Sequence, residues 1–347
     1  MNNMFLSRRA LVSGLAVSMS GALKGSPAQS AEARQSRPAA SRPWVDLQGH
    51  RGAAGLLPEN TIPSFAKALD IGVNTLELDV VMTKDDVMVI SHDLDLNPDI
   101  TRGPDGAFLD RRGPRIIDLT YAQLQQYQVG ALRPNSRYGA RFPEQLAIEN
   151  LRIPRLTDLF DWVRVQGAEH LGFAIETKIS PLRPSYTASP EHVVDHLLDL
   201  IRRYRLEKRV QVLSFDWRSL QALQRLAPGI ETVYLSTAYP SINNIEPSDG
   251  SDSLWTAGFQ RKQFASIPHM IKAAGGSHWS CSYPHLDRSQ IEIAHQLGLK
   301  VLAWTVDDSA QMEQVLDLGI DGLVSNRPDR AISVLKARGQ YRARGKH

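Results

Sequence analysis

The stretch NTLELDVV, residues 74–81, sets Glu77 and Asp79 at alternate positions among Leu76, Leu78 and Val80. Side chains along a β-strand point alternately to its two faces. The two carboxylates therefore share one face, and the three aliphatic side chains share the other. One reading is a half-exposed strand with its polar face in solvent. The other is a strand of a parallel sheet covered on both faces, where strands are normally apolar throughout. There, two acids need positive partners, because an unpaired buried carboxylate is very costly. The surroundings of the stretch decide between the two.

Eight more short apolar runs read as strands, at 45–50, 87–92, 171–178, 210–215, 232–236, 278–283, 301–305 and 322–325. Helical periodicity lies between many of them, at 62–71, 156–165, 191–204, 217–226, 288–297 and 310–318. Strand alternating with helix predicts parallel βαβ units. About eight such units in roughly 300 residues suit an α/β fold of the TIM (β/α)8 barrel type. A doubly wound open sheet is the competitor. Nine candidates for eight places put one strand outside the barrel, or misread. The link 82–86 between the second and third candidates is too short for a crossover helix. Residues 94–153 are rich in Arg, Asp, Gly and Pro, with one helical stretch at 121–127. They read as an inserted cap subdomain after the third strand. Residues 237–276 are similarly irregular.

The 347-residue chain is 42% hydrophobic and 22% charged, enough to bury a large core. Arg8 and Arg9 precede a mildly apolar stretch at 11–23 and small residues at 28–33. This is the pattern of a removable export signal over 1–33, twin-arginine or Sec, with cleavage after Ser30 or Ala33. It predicts a periplasmic protein. The apolar stretch is too short and too polar to span a bilayer, and no other segment is long enough. Residues 34–43 read as a linker, 44–335 as the barrel domain, and 336–347 as a solvated basic tail. The net charge of +3 falls to +1 without residues 1–33, and the tail holds five of the remaining cations. The body is left at about −4, which excludes a basic nucleic-acid footprint. The one cysteine, Cys281, excludes an internal disulfide and every CxxC site.

In AIETKIS, residues 174–180, Glu176 and Lys178 repeat the alternation. They form either a self-contained ion pair or a contribution to the carboxyl-end rim of the barrel, where active sites are built. Glu77, Asp79 and Glu176 are three hard oxygen donors, and they suit Ca²⁺ or Mg²⁺. His50, in QGHRGAAGLLPENT (48–61), and His92, in VISHDLD (89–95), each close a candidate strand. A lone histidine there is commonly structural. Two on the rim can divide general-base and general-acid roles, because imidazole titrates near neutrality. Arg51 and Lys178 can hold an anion, and Arg suits bidentate contact with phosphate. A divalent cation, two histidines and two fixed cations point to phosphoryl chemistry.

Other motifs fail. GHRGAAG is not GxGxxG, and neither GxxxxGK[ST] nor GxSxG occurs. His192 and His196 are spaced i,i+4 but have Val193 where HExxH needs Glu. They lie opposite an apolar stripe and read as solvated. Asn60 or Thr61 can cap the next helix, with Pro63 in its first turn. Glu59 is open between a helix-entry residue and a site contact.

Eight pieces occur in order: His50-Arg51-Gly52, Pro58-Glu59-Asn60-Thr61, Glu77-Leu78-Asp79, His92-Asp93, Glu176-Thr177-Lys178, Ser214-Phe215, Trp304-Thr305-Val306 and Gly319-Ile320-Asp321-Gly322. Each is weak alone. As an ordered set over nearly the whole chain beyond the export signal, they resemble the glycerophosphodiester phosphodiesterases. VMTKDD at 81–86 and the long segment after His92-Asp93 look like the periplasmic bacterial branch. The resemblance implies a TIM barrel with a cap after the third strand, and hydrolysis of glycerophosphodiesters to an alcohol and glycerol 3-phosphate. It implies Glu77, Asp79 and Glu176 as ligands of one divalent cation, Ca²⁺ ahead of Mg²⁺. It also implies His50 and His92 as general acid and base, Arg51 and Lys178 on the phosphate, and Trp304 as a pocket wall. Two departures bear on loop contacts. Asp307 stands where Asn is usual, and Ser325-Asn326-Arg327-Pro328 replaces a common Thr-Asp-x-Pro. Two alternatives are a phospholipase C- or D-like enzyme on the same barrel and a non-catalytic periplasmic phosphodiester-binding protein. The polar, Arg-rich cap argues against the first. Binding alone needs no histidine pair beside three acids, which argues against the second.

Overall fold

The computed structural model describes residues 43–239 and 242–343. The export signal predicted over 1–33 and nearly all of the predicted linker lie outside the described residues. In chain order the elements are β1 (Asp46–Gly49), α1 (Ile62–Ile71), β2 (Thr75–Met82), β3 (Met88–Ile90), α2 (Tyr121–Leu124), α3 (Leu156–Val165), β4 (Gly172–Thr177), α4 (Pro190–Arg203), β5 (Val210–Ser214), α5 (Trp217–Leu226), β6 (Glu231–Ser236), β7 (Ala238–Tyr239), β8 (Ile242–Asn243), α6 (Ile267–Ala273), β9 (His278–Ser282), α7 (Arg288–Gln296), β10 (Lys300–Trp304), α8 (Ser309–Leu318), β11 (Gly322–Ser325) and α9 (Pro328–Ala337).

Strands β1, β2, β4, β5, β6, β9, β10 and β11 pair in parallel in that order, and β1 bonds to both β11 and β2. The sheet therefore closes into a TIM barrel. Alternation sorts its side chains into two layers. Leu76, Leu78 and Val80 of β2 join Phe173 and Ile175 of β4 in the layer beneath the helices. Ala174, Leu213, Val233, Leu235, Leu302 and Val324 fill the interior. Glu77, Asp79 and Glu176 fall on the interior side and are buried. The parallel register of β2 and β4 sets Asp79 beside Glu176. The covered-strand reading of NTLELDVV is the correct one.

The ninth strand candidate is β3. It pairs antiparallel with β2, Val81 opposite Val89, and lies outside the barrel. The link that was too short for a helix is a tight turn, with Asp86 N–H on the Thr83 carbonyl. The insertion thus follows the third strand in chain order but only the second barrel strand. His92 reaches the rim on a hairpin arm, not at the end of a barrel strand. Within the insertion, Leu94, Leu96, Ile116, Leu124, Val129 and Ile153 cluster on Val81 and Val89.

Helix limits follow local chemistry. Thr61 caps α1 by accepting from Ser64 N–H at 3.4 Å, Pro63 sits in its first turn, and Gly72 ends it in the left-handed conformation. Helix α6 lies in the segment that reads as irregular, because seven residues show little period. The tail boundary also needs correction. Helix α9 runs to Ala337. Beyond it, Arg338 pairs with Glu313 and Asp317, the Tyr341 hydroxyl donates to the Gly72 carbonyl at 2.8 Å, and Val45 N–H donates to the Gln340 carbonyl at 2.9 Å. Arg338, Gln340 and Tyr341 are thus tied to the barrel, while Lys336, Ala337, Gly339 and Arg342 stay exposed. No helix among the described residues is long and apolar enough to cross a membrane.

Candidate active site

The chain turns sharply after β1. His50 N–H still joins the ladder, on the Ser325 carbonyl at 2.9 Å. Arg51 then takes a left-handed φ of 50°, rare without glycine. Gly52 follows at φ 87°, where a Cβ would meet the Ser64 backbone at 2.6 Å. Only glycine fits. This turn aims the Arg51 backbone N–H at Glu77 Oε2, 2.8 Å away, and leaves the His50 ring beside the same carboxylate, with Nε2 at 3.9 Å.

The sequence-predicted residues converge. One oxygen each from Glu77, Asp79 and Glu176 lies within 4.8 Å of the other two. Lys178 Nζ sits 2.7 Å from Glu176 Oε1 and 3.6 Å from Asp79 Oδ1, and Arg51 Nε sits 3.3 Å from Asp79 Oδ2. Asp79 is buried, which pushes its carboxyl up, but Lys178 and Arg51 outweigh that and hold it below the usual range. Arg51 acts on Glu77 as well, through its backbone N–H and its charge, but too weakly to offset the surroundings. Burial, with Asp79 and Glu176 beside it, drives its carboxyl well above the usual range. Asp79 Oδ1 accepts no hydrogen bond although it is buried. A half-empty acceptor among three crowded carboxylates is a donor set short of positive charge. It fits a hard divalent cation bound through oxygen.

His50 is tied by a relay that the two sequence departures build together. Asp307 accepts from Asn326 N–H and from Asn326 Nδ2, each at 2.8 Å. That turns Asn326 Oδ1 onto His50 Nδ1, at 2.6 Å. A carbonyl oxygen only accepts, so Nδ1 carries the hydrogen and Nε2 keeps a free lone pair. Burial, reinforced by Arg51, lowers the His50 pKa to about 3. The ring is neutral at neutral pH. His92 is more exposed, with Nδ1 3.2 Å from Asp93 Oδ1. Asp93 is fixed in turn by Asn97 Nδ2 at 2.8 Å. Burial pushes the Asp93 carboxyl up, yet His92 and Arg112 hold it below the usual range.

The Pro-Glu-Asn-Thr cluster divides its work. Thr61 caps α1. Asn60 Nδ2 donates to Asp79 Oδ2 at 2.9 Å. Glu59 accepts from Arg51 Nη1 at 2.8 Å and from the Tyr138 hydroxyl, and Tyr138 also meets Arg51 at 3.1 Å. Glu59 is therefore a site contact that orients Arg51. Tyr138, Asn326 and Asp307 have no role in the sequence-based site, because each acts on a residue that is distant along the chain.

Two adjoining cavities open on this cluster. The narrower, about 140 Å³, is bordered by His50, Arg51, Glu77, His92, Glu176, Lys178 and Trp304. The wider, about 490 Å³, shares His92, Glu176, Lys178, Phe215 and Trp304 and adds Ile179 and Trp255. Trp304 stands edge-on to Phe215, 5.5 Å between centroids, as a wall common to both.

The glycerophosphoryl diester phosphodiesterase family profile matches residues 50–330. The glycerophosphodiester phosphodiesterase of Caldanaerobacter subterraneus subsp. tengcongensis is 26% identical over 291 residues, 84% of this chain and 97% of that one. A solved Silicibacter pomeroyi structure named for the glycerophosphoryl diester phosphodiesterases is 33% identical. It superposes with a TM-score of 0.77 over 86% of this chain and 96% of that one. An Oleispira antarctica phosphodiesterase, solved in complex with its product sn-glycerol-3-phosphate, shares the fold at 21% identity. Its TM-score is 0.61, over 84% of this chain and 97% of that one. A match over most of the barrel, from His50 to beyond β11, places this chain in the glycerophosphoryl diester phosphodiesterase family.

Proposed function

We propose that this glycerophosphodiester phosphodiesterase works in the periplasm with a divalent cation held by Glu77, Asp79 and Glu176, Ca²⁺ ahead of Mg²⁺, and with His50 and His92 as its base and acid. The observation that carries the reading is the convergence of these five residues, with Arg51 and Lys178, on one cavity. When bound, the cation supplies Lewis-acid polarisation of a phosphoryl oxygen. Arg51 and Lys178 take up the remaining charge of the phosphate. His50, neutral with a bare Nε2, accepts the proton of the attacking hydroxyl, whether that belongs to water or to the substrate itself. His92 borders the wider cavity and donates a proton to the leaving alkoxide there. The narrow cavity, which alone of the two is bordered by Arg51 and His50, takes the glycerol phosphate. The wide one, which adds Ile179 and Trp255 to the shared Trp304 and Phe215 wall, takes the alcohol. Periplasmic placement rests on Arg8-Arg9 and the stretch behind them.

The test expresses the full chain and recovers it from the periplasm. Mass spectrometry locates its start, EDTA strips it, and Ca²⁺, Mg²⁺ or Zn²⁺ is restored. Substrates are glycerophosphocholine, glycerophosphoethanolamine and phosphatidylcholine vesicles. We expect a start after Ser30 or Ala33, loss of turnover with EDTA, fullest recovery with Ca²⁺, and glycerol 3-phosphate from both soluble diesters. Turnover indifferent to EDTA refutes the cation. Turnover confined to vesicles refutes the soluble substrate.

Glu59→Gln tests the aiming of Arg51. It keeps the shape but weakens a charge-assisted bond, a loss of about 1.5 kcal/mol or roughly tenfold in binding. KM for glycerophosphocholine is expected to rise about that much, with kcat nearly unchanged. An unchanged KM removes Glu59 from the site.

A further inference from the structure

We propose a second cation site, for Zn²⁺ and its transition-metal neighbours, where the β2–β3 turn meets α4. Asp86 on the turn and His192 and His196 on the helix each offer one donor atom within 4.8 Å of the other two. Two imidazoles and one carboxylate suit Zn²⁺, Ni²⁺ or Cu²⁺, whereas Ca²⁺ and Mg²⁺ prefer all-oxygen sets. The chemistry is thus the opposite of that at Glu77, Asp79 and Glu176.

The ligands are already partly arranged. His192 and His196 lie one helical turn apart on the same face, with ring centroids 4.3 Å apart. Asp86 is held at a left-handed φ of 58°. Its Oδ1 lies 2.7 Å from His192 Nε2, bridging 106 positions of sequence. His196 Nδ1 lies 3.0 Å from the His192 carbonyl oxygen. That oxygen only accepts, so Nδ1 carries the hydrogen and Nε2 presents a free lone pair. A bond of this kind, from the second ring nitrogen to a backbone carbonyl, orients metal-binding histidines generally. For the metal to take Nε2, the hydrogen that His192 now directs at Asp86 moves to Nδ1 by exchange through solvent, which leaves a neutral imidazole ligand and frees the Asp86 carboxylate to bind as well. Zinc ligands bound at about 2.0–2.2 Å stand about 3.3 Å from one another. The cluster therefore closes by rotation of rings that are partly exposed, and water takes the fourth position.

Such a metal would clip the hairpin onto α4. Strand β2 carries Glu77 and Asp79, and the chain beyond β3 carries His92, so the clip braces the arm that reaches the active site. In a chain whose one cysteine is buried and free, it supplies a cross-link that no disulfide provides.

The test titrates Zn²⁺ into the full chain in excess Ca²⁺, reading stoichiometry by elemental analysis and Tm by calorimetry. The wild type is expected to bind one Zn²⁺ more per chain than His192→Ala or His196→Ala. Asp86→Asn is expected to weaken that site at least ~10-fold. The Zn²⁺-dependent rise in Tm should vanish in all three, while their Ca²⁺-supported hydrolysis of glycerophosphocholine stays at the wild-type rate and shows them folded. Equal stoichiometry in wild type and both histidine variants overturns the site. Wild-type affinity in Asp86→Asn overturns the clip. Should His196→Ala fold poorly, His196→Gln repeats the stoichiometry measurement.

Discussion

Turnover of glycerophosphocholine is expected to fall by ~10²–10⁴-fold in His50→Ala and in His92→Ala, the range for a lost acid or base catalyst. The folded state should survive both changes. His92 is partly exposed, and its ring contacts are local, to Asp93. Its removal should barely move Tm. His50 is more deeply set, and its loss leaves Asn326 Oδ1 without its partner. An acceptor stranded in this way costs about 1–3 kcal/mol, within a typical total stability of about 5–15 kcal/mol. His50→Ala should therefore melt a few degrees lower yet remain folded by circular dichroism. The two losses should not multiply in the double variant, because the residues serve one proton transfer sequence. Near-wild-type kcat in both single variants, with intact spectra, would sink the assignment.

The second large effect has opposite signs in two measurements. Glu77→Gln should abolish most turnover and yet stabilise the cation-free protein. Three carboxylates crowd within 4.8 Å, and Glu77 is the one whose carboxyl is driven upward by burial, Asp79 and Glu176. The cation-free site meets this crowding by holding a charge against its neighbours or by binding a proton above its usual range. Either is unfavourable, and the neutral amide needs neither. Gln also keeps an oxygen for the Arg51 N–H. In EDTA the variant should melt about 1.5–2 °C above the wild type, equivalent to about 1 kcal/mol in a domain of this size. With the cation present the order should reverse. A ligand at a hundred times its Kd stabilises the native state by about 2.7 kcal/mol, and the wild type alone gains it in full. Calorimetry in EDTA and in excess Ca²⁺ reads the crossing directly. A variant less stable than wild type in both buffers would show that Glu77 supports the fold and not a cation.

Much of this protein is legible in its sequence because much of it is local. Period-two alternation put Glu77 and Asp79 on one face, and the same face was found inside the barrel mouth. Helix α1 begins and ends where Thr61, Pro63 and Gly72 predict. The excess strand candidate and the five-residue link already implied that one strand stood apart. Which strand it was, and that it formed a hairpin on β2, followed from hydrogen bonding alone. The basic tail misled because charge suggests solvent. Arg338 instead finds Glu313 and Asp317 on a neighbouring helix, a match visible only once α8 and α9 are packed.

The sequence by itself determined the residue types, the order of βα units and the faces on which the acids stand, since these depend on neighbours two to four positions away. The tertiary structure decided the partnerships: Glu59 and Tyr138 on Arg51, Asp307 and Asn326 on His50, Asp86 on His192. Each joins residues that only barrel closure and the docking of loops bring within hydrogen-bonding range. A periodic pattern states which way a side chain points, but not what it meets there.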